Sequence, residues 1–150
     1  MLLLTKPKSN KRSRLNRFTR NSYPGLLCAA IILLLTGIPG TNLRQPPVIG
    51  LDKVVHFLMF AGFAFAMIWG YRKPFVEKGS TYRVKAIFIA ILIGITYGVL
   101  TEIMQETLIP GRTGSVYDWI ADATGSVFGA ILALFLFRGR NNLKNEALDK

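Results

Sequence analysis

Four apolar blocks separated by short polar segments limit what this chain of 150 residues can fold into. They cover about residues 23–38, 54–71, 86–107 and 117–137. A bilayer core about 30 Å thick takes roughly 20 apolar residues of helix, with about 17 as a minimum, which the last three blocks supply and the first barely approaches. Lipid offers no partner to an unpaired backbone N–H or C=O, so blocks of this kind become helices. Hydrophobic residues make up 51% of the chain and are bunched, whereas a soluble domain of this length spreads them in short amphipathic periods. The expected fold is therefore all-α and integral to the membrane, an antiparallel bundle of four transmembrane helices.

The net charge of +11 would suit a nucleic-acid partner if the basic residues were clustered on one domain, but they lie between and outside the apolar blocks. With four spans the chain alternates sides. All but three of the 19 Lys and Arg residues then fall on one side, the exceptions being Arg44, Lys53 and Arg112. The positive-inside rule places both termini in the cytoplasm and the loops at 39–53 and 108–116 outside, for a multi-pass protein of the cytoplasmic (inner) membrane. Residues 1–22 carry Lys6, Lys8, Lys11, Arg12, Arg14, Arg17 and Arg20 and no acid, and are expected to form a disordered cytoplasmic tail against the membrane surface. Residues 138–150 are expected to fray as a polar cytoplasmic tail.

The first block resembles the core of a signal peptide, yet its exit, Thr36-Gly37-Ile38-Pro39-Gly40, has no small-x-small cleavage pattern, and Leu27 ahead of Cys28 is not the small residue of a lipoprotein site. It reads as an uncleaved first span. Cys28 is the only cysteine, so neither a disulfide nor a cysteine-based zinc site can form within the chain.

Charged residues are costly in lipid and need a reason to be there. In this orientation they share one depth: Asp52, Lys53 and His56 at the outer start of the second span, Glu102, Gln105 and Glu106 in the outer third of the third, and Arg112, Asp118 and Asp122 at the entry to the fourth. Asp52 and His56, Glu102 and Glu106, and Asp118 and Asp122 are each four apart, so each pair shares a helix face. The expected binding pocket is Asp52, Lys53, His56, Glu102, Gln105, Arg112, Asp118 and Asp122, opening outward. Simpler roles compete. Ser115 and Asp118 have the spacing of a capping box, Asp52 can cap the second span, His56 can be a hydrogen-bonded structural residue, and Arg112 a solvated loop charge. The run Pro110-Gly111-Arg112-Thr113-Gly114-Ser115 also offers backbone N–H groups and a guanidinium to a phosphate or carboxylate.

Gly94 and Gly98 in the third span, and Ala121, Gly125, Gly129 and Ala133 in the fourth, recur every four residues. Small residues on one stripe let membrane helices approach closely, so these spans should pack on each other or on the second.

The ordered set Asp52-Lys53-Val54-Val55-His56, Glu102 with Gln105, Arg112, Asp118, and Gly125 with Gly129 resembles the VanZ-like family, the family of the teicoplanin-resistance protein, over about residues 50–133. Asp122 stands where that pattern has Asn, and Phe60 where Tyr is common. The resemblance implies a membrane protein linked in its namesake to reduced glycopeptide sensitivity. The expected function is binding of a lipid headgroup or lipid-linked envelope precursor in the outward pocket, without enzymatic chemistry, by a protein whose partners are membrane lipids, such a precursor or another membrane protein, and not nucleic acid. No cofactor is required. The alternative is a membrane-embedded hydrolase or transferase that holds a divalent cation through His56, Glu102, Asp118 and Asp122, although no H-E-x-x-H motif supports it.

Overall fold

The computed structural model describes the backbone over residues 11–42 and 50–146 and the side chains over 15–41 and 50–137. Five α-helices follow in order: α1 (Lys11–Thr36), α2 (Leu51–Gly70), α3 (Arg72–Glu77), α4 (Ser80–Leu108) and α5 (Val116–Glu146), with a 3-10 turn at Gly40–Asn42 between the first two. No strand occurs among the described residues. Four of these helices hold stretches long and apolar enough to cross a membrane, at Leu15–Thr36, Leu51–Gly70, Ser80–Leu108 and Val116–Phe137. The 20 residues of α2 rise about 30 Å, the thickness of the hydrocarbon layer. The protein is a multi-pass membrane protein, and its exposed side chains agree: Leu34, Phe88, Phe135 and Leu136 point outward.

The element bounds differ from the sequence reading at three places. The segment 11–22, read as disordered, belongs to α1, and residues 1–10 lie outside the described residues. Contacts with the end of α2 explain why the helix continues: Gly70 lies against the carbonyl of Asn21, where a Cβ would collide, and Ser22 Oγ and Tyr71 Oη share a 2.7 Å hydrogen bond. The 72–85 connector holds α3 and the first turn of α4, because Gly79, at φ 83, turns the chain between them and Phe75 is buried against Phe137 with ring centroids 6.2 Å apart. Helix α5 continues past 137 to Glu146, so most of the tail read as fraying is helical.

Helix α5 is the central element. It packs most extensively on α2 and then on α4, while α1 rests on α2. The two glycine stripes serve different contacts. Gly125 and Gly129 lie against the backbone carbonyls of Phe57 and Ala61 on α2, close enough that a Cβ on either would overlap those oxygens. Gly94 and Gly98 on α4 make room for Ser126 and Asp122 of α5. Of the two packings expected for the stripes, the molecule uses both. One apolar cluster groups Ile68, Phe75, Ala90, Ala130, Ala133 and Phe137, and a second groups Ile32, Phe60 and Phe63, with Tyr97 packed against it and donating its hydroxyl to Ala29 O at 2.7 Å. A groove of about 550 Å³ runs between α1 and α4, lined by residues such as Leu26, Ala29, Phe63, Met67 and Leu100; it shares no residue with the polar cluster described below.

Gly129→Ala should therefore destabilise the fold by about 1–3 kcal/mol through forced separation of α2 and α5. Gly62→Ala, where a Cβ meets nothing within 4 Å, should change stability by less than about 1 kcal/mol. Thermal unfolding of both variants in detergent checks the pair, and equal losses would contradict the packing described.

Candidate functional site

The loops at 38–40 and 110–112 meet at one end of the molecule. Gly40 N donates to Pro110 O at 3.0 Å, and Gly40 lies against the carbonyl of Gly111. Arg112 Nε donates to Ile38 O at 3.4 Å, and Arg112 makes no ion pair within 4 Å among the described residues. Gln105 is buried and reaches the end of α1, its Nε2 donating to Thr36 O at 3.4 Å. Both residues tie this end of the bundle together.

The start of α5 is held by carboxylates from α4. Ser115 N donates to Glu102 Oε2 at 2.6 Å and Gly114 N to Glu106 Oε2 at 2.7 Å. Glu102 and Glu106, one helical turn apart, thus satisfy consecutive N–H groups where the positive end of a helix favours negative charge. Two expectations change as a result. The N–H groups of Gly114 and Ser115, read as available to a phosphate, already serve the chain's own acids. The capping box of Ser115 and Asp118 forms only by half: Asp118 N donates to Ser115 Oγ at 3.3 Å, while Glu102, from another helix, takes the reciprocal position on Ser115 N.

Asp118 turns instead to α2. Lys53 Nζ lies 2.8 Å from Asp52 Oδ2 and 3.2 Å from Asp118 Oδ1, a triplet on the rim in which Lys53 and Asp52 are half-exposed and Asp118 is largely covered. Asp52 sits in the first turn of α2 without capping it; the N-cap position is Gly50, with no side-chain hydrogen bond.

Beneath the rim lies a buried triad with one residue from each of three helices. His56 Nδ1 is 2.9 Å from Asp122 Oδ1 and 3.8 Å from Glu102 Oε1. His56 is 6% exposed, Glu102 8% and Asp122 0%. Gly98 is what admits Asp122, since a Cβ there would lie 3.0 Å from the carboxylate. Ser126, below it, donates Oγ to Asp122 O at 2.8 Å. One nitrogen and two carboxylate oxygens from the triad lie within 4.8 Å of one another, the makings of a cation site. Asp118, the fourth candidate ligand by sequence, is not in that group. Among the described residues, Glu102 Oε1, Asp122 Oδ2, Asp118 Oδ1 and Trp119 Nε1 are buried without a hydrogen-bond partner, Asp118 Oδ1 having only the ion pair with Lys53. Trp119 was not among the candidates, because a Trp at the entry to a span ordinarily marks the membrane interface.

All eight candidates thus gather at one end of the bundle, in three layers: Arg112 and Gln105 bracing loops, Asp52, Lys53 and Asp118 paired on the rim, and His56, Glu102 and Asp122 buried. The layers should respond differently to mutation. Asp122→Ala removes one half of a buried pair and should cost about 3 kcal/mol. Asp118→Ala, opposite a half-exposed lysine, should cost less than about 1 kcal/mol. Unfolding midpoints of the two variants in detergent check this order.

Comparison with known proteins adds a family. No curated protein and no solved structure matches the chain. The VanZ/LLP1 family model matches residues 3–138, which takes in all of α1 to α4, the spanning part of α5 and every polar residue of the site. The chain belongs to the VanZ/LLP1 family.

Proposed function

We propose that this VanZ-family protein spans the cytoplasmic membrane as an antiparallel bundle with both termini inside, and that its polar site faces outward and binds the headgroup of a lipid or lipid-linked envelope precursor. Orientation rests on the distribution of basic residues: Arg44, Lys53 and Arg112 are the only Lys or Arg assigned to the outer side. The observation that carries the binding reading is the pair of buried carboxylate oxygens, Glu102 Oε1 and Asp122 Oδ2, that have no hydrogen-bond partner among the described residues. Leaving such atoms unsatisfied costs about 1–3 kcal/mol each, a cost that a ligand with donor groups removes. Sugar hydroxyls or an ammonium group supply those donors. Arg112, with no carboxylate partner among the described residues, is the residue suited to the phosphate of the same headgroup.

Binding at that place would put the protein beside the precursors that glycopeptide antibiotics recognise, which is how it would alter sensitivity to teicoplanin. Native mass spectrometry of the protein with a polyprenyl-diphosphate-linked sugar tests the reading. A retained adduct is expected for the wild type and its loss for Arg112→Ala, with unfolding midpoints alike. No adduct on folded wild-type protein would defeat the proposal. Expression in a teicoplanin-sensitive host should raise the inhibitory concentration for the wild type, and not for Arg112→Ala at matched membrane levels.

A further inference from the structure

We propose that His56, Glu102 and Asp122 form a divalent-cation site. Charge is the first reason. Two carboxylates with almost no access to water face a single imidazole, which offers at most one positive charge, and Lys53 is engaged by Asp52 and Asp118. Buried carboxylates left uncompensated are strongly unfavourable. A dication with two carboxylates and a neutral imidazole carries no net charge.

Geometry is the second reason. Ligand atoms about 2.0–2.2 Å from a metal stand roughly 3.0–3.6 Å apart in octahedral or tetrahedral arrangements. The distances from His56 Nδ1, 2.9 Å to Asp122 and 3.8 Å to Glu102, bracket that range, and all three ligand atoms lie within 4.8 Å of one another, so side-chain adjustment without movement of the helices brings them onto one ion. The independent observation is that Glu102 Oε1 and Asp122 Oδ2 are buried, unpartnered acceptors on two of the three ligands. The outer contacts are also those of a built site. The N–H of Ser115 fixes the other oxygen of Glu102, and Gly98 leaves the space that Asp122 occupies.

One imidazole and two carboxylates, without sulfur, select Zn²⁺, Mn²⁺, Fe²⁺ or Co²⁺ over softer ions, and the imidazole disfavours Mg²⁺ and Ca²⁺. Binding replaces the His56–Asp122 hydrogen bond: a charged imidazole loses its Nδ1 proton to solvent, and a neutral one carries its single proton on Nε2, so that the ring bound to the ion is neutral in either case. Three protein ligands leave at least one coordination position open to water or to a ligand oxygen. The inference stands apart from the headgroup reading, because metal uptake is measured on the protein alone; an ion on these oxygens would take the place of headgroup donors there and leave Arg112 and the open coordination position for the headgroup.

Untagged full-length protein in detergent, stripped with chelator and then given Zn²⁺, Mn²⁺ or Co²⁺ alone, decides the matter. Stoichiometric metal and a raised unfolding temperature are expected, with metal lost in Glu102→Gln and Asp122→Asn and retained in Glu106→Gln, an exposed acid on the same helix. His56 is the only histidine in the chain, so X-ray absorption of the zinc-loaded wild type should show one imidazole and no sulfur. That measurement decides the proposal even where the variants fail to fold. Folded wild type that takes up none of these metals, a zinc spectrum without imidazole, or full metal retention by folded Glu102→Gln and Asp122→Asn would overturn it.

Discussion

The polar end of this bundle depends on the burial of Asp122 between two helices. A carboxylate with no exposed surface must be given space and a partner together. Gly98 on α4 supplies the space and His56 on α2 the partner. Helices in lipid have no hydrophobic drive toward one another, so their contacts rest on close backbone approach and on polar links. Gly125 and Gly129 bring α5 against α2, and that approach sets His56 within hydrogen-bond distance of Asp122. The small-residue stripes and the polar site are one design: without the first, the residues of the second do not meet.

The acids of this end divide by task. Glu106, and one oxygen of Glu102, hold the first N–H groups ahead of α5, which stabilises the helix start and fixes the loop. Asp52 and Asp118 share Lys53 at the rim, where solvent screens the pairing. Asp122 and the remaining oxygen of Glu102 face His56 in the interior. Glu102 thus belongs to two layers, with one oxygen bracing the α4–α5 loop and the other directed into the buried site.

Much of this was legible because each feature is local. Blocks of apolar residues report helices in lipid whatever they pack against, and the spacing of four between Asp52 and His56, Glu102 and Glu106, and Asp118 and Asp122 places each pair on one face by helix geometry alone. The convergence of the polar residues on one end followed from the alternation of spans. Less legible was the competition for partners. Ser115 and Asp118 have the spacing of a capping box, but Glu102 lies thirteen residues earlier on another helix and takes the N–H first. The helical state of 11–22 was hidden for a similar reason: its contacts with Gly70 and Tyr71 are remote in sequence, whereas a run of like charges reads as self-repelling.

The amino-acid sequence by itself determined that the chain crosses the membrane on helices, that the ionisable residues within its spans lie toward one end, and that its glycine stripes are packing surfaces, since all three follow from hydropathy and a period of 3.6 residues. Only the tertiary structure decided which acid meets which partner. Lys53 takes Asp118, His56 takes Asp122, and Arg112 takes a backbone carbonyl instead of a carboxylate. The rotation of α5 relative to α2 and α4 makes that choice, and close contacts between residues far apart along the chain set the rotation.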